Sequence, residues 1–215
     1  MGKLIRFLAA LLLLPFVYAF AHEAYAFVTL NVKAHAISWF IYGLVCYILV
    51  YGFFLWRKIA FLEIFEHELG HALVGLLFFR DIQKFEVHPG GGSVELVGGN
   101  SLIRLAPYYL PVFTIPLLII KPLVSPSIRD AANFLIGFTL AFHYTSLLKE
   151  FNLRQEDIKE TGLVFSLCVT CIMNIIMLII ILCVVLEIYS DIPGYFERSF
   201  KKAVESYETI LQAWG

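Results

Sequence analysis

The sequence predicts an all-α membrane protein with about six transmembrane helices, a short β-hairpin after the third of them and an amphipathic helix at the C-terminus. Composition is the first reason. The 215-residue chain is 60% hydrophobic and only 15% charged, whereas soluble domains carry about a quarter charged residues. The second reason is that the hydrophobic residues gather in runs of about 20, the length that crosses a bilayer as a helix. The net charge of −1 gives no indication of the basic surface that nucleic-acid binding requires, so we expect no nucleic-acid partner.

Two apolar runs open the chain. Residues 4–21 begin beside two basic residues and end in small side chains, a pattern shared by signal peptides and retained helices. We expect a retained helix. Residues 36–56 are followed by Arg57 and Lys58, which places that end in the cytoplasm by the positive-inside rule. Residues 1–58 therefore form a predicted pair of N-terminal transmembrane helices.

The third run, residues 59–79, carries ionisable side chains and is followed by a glycine-rich segment. Residues 84–97 predict two short strands around a Pro-Gly-Gly-Gly turn, because glycine supplies the backbone conformations that tight hairpins need. A free strand edge can hold an extended peptide as an added strand. A surface hairpin without any ligand is the alternative interpretation.

The fourth run, residues 102–120, contains three prolines, each of which removes a backbone donor and bends a helix. We expect this segment to be kinked or partly re-entrant. Residues 131–148 and 163–189 are the fifth and sixth runs, and residues 59–188 form the predicted core of the protein. The four cysteines lie inside apolar runs and predict helix packing rather than a disulfide framework.

The last segment, residues 189–215, is a predicted tail of a different kind. Its apolar residues recur at helical spacing from Phe196 to Trp214, with charged residues on the opposite face. This pattern is typical of a helix that lies in the headgroup plane of a bilayer. We therefore expect a peripheral amphipathic helix after the last membrane span.

The third run contains the segment FEHELGHAL, in which two histidines stand four residues apart. On a helix, His67 and His71 project from one face and can hold one metal ion, with Glu68 beside them. Paired neutral imidazoles suit zinc, which in a catalytic site takes a third protein ligand and lowers the pKa of a water molecule to near 7. Glu68 can take a proton from that water and pass it to a leaving amine. Ionisable side chains in a membrane helix are costly and usually functional, so we interpret the segment as half of a hydrolytic zinc site.

Two further glutamates precede this motif. Glu63 shares a helical face with His67, four residues later, and is expected to accept a hydrogen bond from an imidazole N–H. Glu66 lies on a neighbouring face near the start of the helix. We expect the Glu66 carboxylate to reach water and to have no role in the site.

His143 in the fifth run and Asp157 after it are the two candidates for the third metal ligand. If the fifth and sixth helices meet in a turn near Glu150, both residues lie seven positions from that turn. At 1.5 Å per residue they then sit at a depth of about 10 Å, comparable with that of His71. The spacing leaves both candidates open.

With these features the sequence resembles the site-2 protease family of intramembrane zinc metalloproteases. Three segments carry the resemblance, which covers residues 59 to about 175. They are HELGHAL on a membrane helix, the glycine-rich hairpin after it, and a later aspartate near the start of a membrane helix. That aspartate departs from the family's usual Asp-Gly pattern, since Ile158 follows Asp157.

The resemblance implies a role for each residue of the site. His67 and His71 are then zinc ligands, Glu68 is the catalytic base and Asp157 is the third ligand. His143 is left as a second catalytic residue that hydrogen-bonds the oxyanion or the substrate.

The predicted function is that of a zinc-dependent intramembrane endopeptidase. Its cofactor is Zn²⁺, and its partners are the lipid bilayer and a membrane-anchored protein that it cleaves within or near a transmembrane segment. The single chain with short loops favours a multi-pass protein of the bacterial inner membrane. The alternative is a metal-binding membrane scaffold or transporter without hydrolytic activity. A transporter should show a polar path or an inverted repeat, and a scaffold has no need of Glu68.

Overall fold

The structure is a computed structural model that describes residues 2–55 and 59–214. Arg57 and Lys58, on which the cytoplasmic assignment rests, lie outside the described residues. Within the described ranges the chain forms nine α-helices and one β-hairpin. In chain order these are α1 (Gly2–Asn31), α2 (His35–Val50), α3 (Ala60–Leu77), β1 (Ile82–His88), β2 (Gly91–Leu96), α4 (Ser101–Leu105), α5 (Thr114–Ile120), α6 (Arg129–Glu150), α7 (Glu156–Thr161), α8 (Leu163–Leu186) and α9 (Asp191–Trp214).

The predicted fold class, a helical membrane protein with one hairpin, is confirmed, and the expected count of about six spans is only approximate. Among the described residues, four helical segments are long and apolar enough to cross a membrane. They are Leu4–Asn31, His35–Phe53, Pro126–Glu150 and Leu163–Leu186. Helix α3 is not one of them, since three glutamates fall within its 18 residues.

The fourth apolar run does not form one helix. It is divided into α4, a 3₁₀ turn at Ala106–Tyr108, and α5. The break follows from proline chemistry, because Pro107 and Pro111 lack the backbone N–H that a continuous helix would use. The segment is thus broken into short pieces, which goes further than the kink expected from the sequence.

The chain divides into two compact units, the first comprising residues 1–37 and 161–215. In this unit α9 packs antiparallel along α1. The Tyr195 hydroxyl donates a hydrogen bond of 2.8 Å to the Phe20 carbonyl oxygen, and the rings of Phe16 and Phe200 meet edge to face. The tail is an amphipathic helix as predicted, but part of its apolar face is covered by α1.

The second unit, residues 38–160, contains the hairpin, α3, α6 and the other elements that carry the candidate site. The unit boundaries do not coincide with those placed at residues 58 and 188 from the sequence. Helices α2 and α6 approach closely through two glycines. A Cβ on Gly43 would lie 1.9 Å from the Phe134 carbonyl oxygen, and one on Gly137 would lie 2.0 Å from that of Phe40. This crossing holds α6 against α2.

The hairpin is antiparallel, with Phe85 opposite Val94 and His88 opposite Gly91. Its strand β2 packs along α3, so that a Cβ on Gly75 would lie 2.9 Å from the Leu96 side chain. On β1, the ring of Phe85 meets that of Phe65 edge to face. The hairpin therefore lies directly against the helix that carries the histidine motif.

Candidate active site

Helix α3 presents His67 and His71 on one face, as their spacing predicts. Their ring centroids are 5.0 Å apart, and the two side chains are 13% and 15% exposed. Glu68, between them in sequence, is half-buried beneath strand β2. The motif is therefore sheltered from bulk water while remaining accessible.

Asp157 reaches the two histidines from a separate element. Helix α6 ends at Glu150, a short loop follows, and α7 carries Asp157 back into the site. Its Oδ2 atom lies 3.6 Å from His67 Nε2 and 3.4 Å from His71 Nε2. The ligating atoms of these three residues all fall within 4.8 Å of one another.

The other nitrogen of each imidazole is held in place. His67 Nδ1 donates to Glu150 Oε2 at 2.5 Å, and His71 Nδ1 donates to the Ile103 carbonyl oxygen at 2.9 Å. With Nδ1 engaged in this way, each ring turns its Nε2 atom toward Asp157. Such outer partners fix the tautomer and orientation of metal-binding histidines.

Asp157 is strongly polarised by its surroundings. Burial alone would raise the pKa of this carboxyl group, but hydrogen bonding to His67 and His71 and the electrostatic attraction of their rings hold it well below its usual range. The Tyr108 hydroxyl also donates to Asp157 Oδ2, at 3.4 Å. Asp157 is therefore an ionised carboxylate that attracts a proton or a cation to the space between the rings.

The three donors fit a zinc ion. Two imidazole nitrogens and one carboxylate oxygen make a donor set found in catalytic zinc sites, which leaves a fourth position open. Tetrahedral ligands about 2.0–2.1 Å from zinc lie about 3.3 Å from each other. The two distances from Asp157 Oδ2, 3.4 and 3.6 Å, are close to that separation. Unless a cation or protons lie among them, the Nε2 atoms of His67 and His71 and the Asp157 carboxylate oxygen repel one another.

The comparison with protein families decides the identity of the chain. The model of the family described as Peptidase M50B-like matches residues 37–192, more than half of the chain and the whole of the site. The chain belongs to the peptidase M50B-like family. This is the site-2 protease family of intramembrane metalloproteases, so the resemblance seen in the sequence is confirmed. No curated protein and no solved structure matches the chain.

This M50B-like peptidase is a membrane metalloprotease and an integral membrane protein. The family match spans α3, which carries His67 and His71, and α7, which carries Asp157. The family match therefore covers all three residues of the candidate metal site.

Two sequence-based expectations about this M50B-like peptidase are wrong. Glu66 does not reach water: it is 2% exposed, and its Oε1 lies 3.4 Å from His143 Nδ1. Glu63 does not contact an imidazole, since its Oε1 accepts a hydrogen bond of 2.6 Å from Lys149 Nζ. In both cases the reason is the same, namely that α6 covers this side of α3.

His143 lies apart from the metal-ligand cluster. Its side chain is 1% exposed and faces Glu66. Among the described residues, the group of ligating atoms that meets in this part of the peptidase consists of His67, His71 and Asp157. Of the two candidates for the third ligand, the structure therefore brings Asp157, and not His143, into the cluster.

Glu150 was not expected to be part of this site. It occupies the turn between the fifth and sixth apolar runs, where a charged residue is ordinary, and only the geometry of α6 shows that it meets His67. Tyr108 was likewise hidden in the proline-rich run. The one sequence signal that pointed to Glu150 was its position, at the end of a membrane helix and close in sequence to a predicted ligand.

We expect Glu150→Ala to weaken zinc binding about 10- to 100-fold, the usual cost of removing the outer partner of a metal-binding histidine. Without the carboxylate, His67 loses the acceptor that holds its proton on Nδ1. Competition with a chromophoric zinc chelator measures the dissociation constant. Glu156→Ala, which removes an exposed carboxylate nearby, is the control, and equal affinity of both variants would contradict the assignment.

Proposed function

We propose that this protein is a zinc-dependent intramembrane endopeptidase that cleaves a membrane-anchored protein within or near its transmembrane segment. The observation that carries the proposal is the convergence of His67, His71 and Asp157, with ligating atoms within 4.8 Å, next to the carboxylate of Glu68. The short loops between its apolar segments favour the bacterial inner membrane as its location.

Each residue has a distinct task in this proposal. His67, His71 and Asp157 would hold the zinc ion. When bound, zinc supplies a Lewis acid that polarises the scissile carbonyl and makes a neighbouring water more acidic. Glu68 takes the proton from the attacking water and delivers it to the nitrogen of the leaving amine. Glu150 and the Ile103 carbonyl keep the two imidazoles oriented throughout.

His143 is given no part in the chemistry. The family resemblance implied a contact with the oxyanion or the substrate, but the His143 imidazole is 1% exposed and faces Glu66. A group that stabilises the oxyanion must lie within hydrogen-bond reach of the reacting carbonyl. We propose instead that His143 helps to hold α6 on α3.

The hairpin provides a place for the substrate. A cavity of about 320 Å³ runs from the ligand cluster to strand β2 and the segment after it; its lining residues are His71, Val94, Leu96, Gly98, Gly99, Ile103, Arg104 and Asp157. A helical substrate shields its amides through its own hydrogen bonds, so the scissile segment must be extended before water can attack. Backbone groups at a strand edge bind such an extended segment by pairing with it.

The proposal is tested with purified protein in proteoliposomes that contain single-span reporter proteins. The reporters carry a helix-breaking Gly-Gly or Asn-Gly pair at different depths of an otherwise apolar segment. We expect cleavage within or beside the apolar segment, located by mass spectrometry of the products. Cleavage should stop when 1,10-phenanthroline removes the metal and should return when zinc is added in excess. Full cleavage in the presence of the chelator, or cleavage confined to water-soluble domains, would overturn the proposal.

A further inference from the structure

Strand β2 touches the catalytic glutamate through a residue without a side chain. A Cβ built on Gly92 would lie 2.6 Å from Glu68 Cγ, 3.0 Å from Glu68 Oε1 and 2.9 Å from Ile64 Cγ2. Contacts below about 3.0 Å between such atoms are not tolerated in folded proteins, so something must move. The hairpin backbone therefore forms one wall of the space that Glu68 occupies.

The position of Gly92 in the hairpin is not explained by turn chemistry. It lies within β2, opposite Val87 and beyond the turn, and its φ is not in the left-handed region that favours glycine. Within a strand, glycine costs stability and often marks a close approach of another group. Here the approaching group is the side chain of Glu68.

We propose that Gly92 is a positioning residue for catalysis, and that β2 sets the orientation of the Glu68 carboxylate. This inference rests on the proposed function for the role of Glu68 as the base. A methyl group at position 92 would push the Glu68 side chain away, because this chain is flexible and yields more easily than the backbone of either element. The fold and the ligand cluster are then kept, and the base is displaced.

The contact is first tested without any activity measurement. In a variant whose four native cysteines are replaced by alanine, Glu68→Cys is combined with Gly92→Cys, which places one sulfur where Glu68 Cγ lies. We expect spontaneous disulfide formation under mild oxidation, detected by mass spectrometry of the digested protein, because a Cβ at position 92 would lie 2.6 Å from the atom that the sulfur at position 68 replaces. Glu68→Cys with Gly90→Cys is the control and should stay reduced. Failure of the first pair to crosslink, or equal crosslinking of both pairs, would overturn the proposed contact.

The catalytic consequence is tested with Gly92→Ala. We expect kcat to fall about 10- to 100-fold, the cost of misplacing a reacting group by about 1 Å, with an unchanged KM and zinc content. The melting temperature should fall slightly, because Ile64 Cγ2 must also yield to the added methyl group. The matched control is Gly90→Ala, whose added Cβ would meet the His88 ring at an ordinary 3.5 Å; it should behave as the wild type. If the methyl group disturbed substrate pairing on β2, KM would change instead of kcat. That result, or unchanged kinetics, would overturn the inference.

A double-variant cycle shows whether Gly92 acts through Glu68. In a Glu68→Gln background, Gly92→Ala should cause no further loss of residual activity, because effects of residues that act on one group are not additive. An equal fold-loss in both backgrounds would contradict the inference. Failure of the wild-type protein to cleave any reporter would instead refute the proposed function, and the crosslinking result would still decide the contact between Gly92 and Glu68.

Discussion

Asp157→Ala is expected to reduce bound zinc from one ion per chain to none that survives gel filtration, while His143→Ala retains the full content. The reason is the position of the two side chains. Asp157 Oδ2 lies 3.4 Å from His71 Nε2, whereas His143 faces Glu66. A catalytic zinc site needs three protein ligands, and two imidazoles alone hold the ion weakly. Metal content is measured by inductively coupled plasma mass spectrometry on protein purified in detergent.

Two comparisons make this result specific. Glu156→Ala removes the exposed carboxylate next to Asp157 and should keep its zinc. His143→Ala leaves the buried Glu66 carboxylate without its neighbour, which is destabilising, so its melting temperature should fall although its zinc content does not. Full zinc content in Asp157→Ala, or loss of zinc from a folded His143→Ala protein, would refute the ligand assignment.

Counting along the chain was enough to bring Asp157 to the level of the two histidines. A turn near Glu150 puts Asp157 at a depth close to that of His71, and α6 does end at Glu150. The same count could not separate Asp157 from His143, since it gives depth and not direction. Direction around the α6 axis depends on how this helix packs against its neighbours, for example where Gly137 meets Phe40 of α2.

The errors at Glu63 and Glu66 have the same origin. Helical spacing shows correctly that Glu63 and His67 share a face of α3, but not which side chains of a distant segment will meet that face. Two adjacent residues at the end of α6 contact this face: Lys149 pairs with Glu63, and Glu150 pairs with His67. Each partner is more than 80 positions away in sequence, and a single sequence holds no signal for such a pairing.

The hairpin, unlike the contacts of α3, was predictable from residues that are adjacent in sequence. Its strands and turn were predictable because turn formation depends on adjacent residues, and the glycine-rich segment specifies it locally. Two of the glycines nevertheless lie beyond the turn, and Gly92 fits against Glu68 on another element. From the sequence, the three consecutive glycines had one explanation, the turn. In the structure the third, Gly92, lies against the Glu68 side chain.

Glu68→Gln is expected to lower kcat by about 10²- to 10⁴-fold, the range contributed by a positioned general base, with zinc content unchanged. The amide has nearly the same size as the carboxylate, so it fits beneath β2 without displacing Gly92, but it cannot accept a proton from water. The rate of reporter cleavage in proteoliposomes is measured together with bound zinc. Glu95→Gln, which changes an exposed glutamate on the same strand β2, should be as active as the wild type.

The combination of the two readouts separates the possible roles of Glu68. If Glu68 held the metal, the glutamine variant would lose both zinc and activity, because a neutral amide is a poor zinc ligand. If Glu68 only supported the packing of the hairpin, the conservative change would leave both intact. Retained zinc with lost cleavage is the result expected of a base alone, since the ligand cluster of His67, His71 and Asp157 does not include Glu68. Cleavage at the wild-type rate by a zinc-loaded Glu68→Gln protein would refute the proposed catalytic role of Glu68.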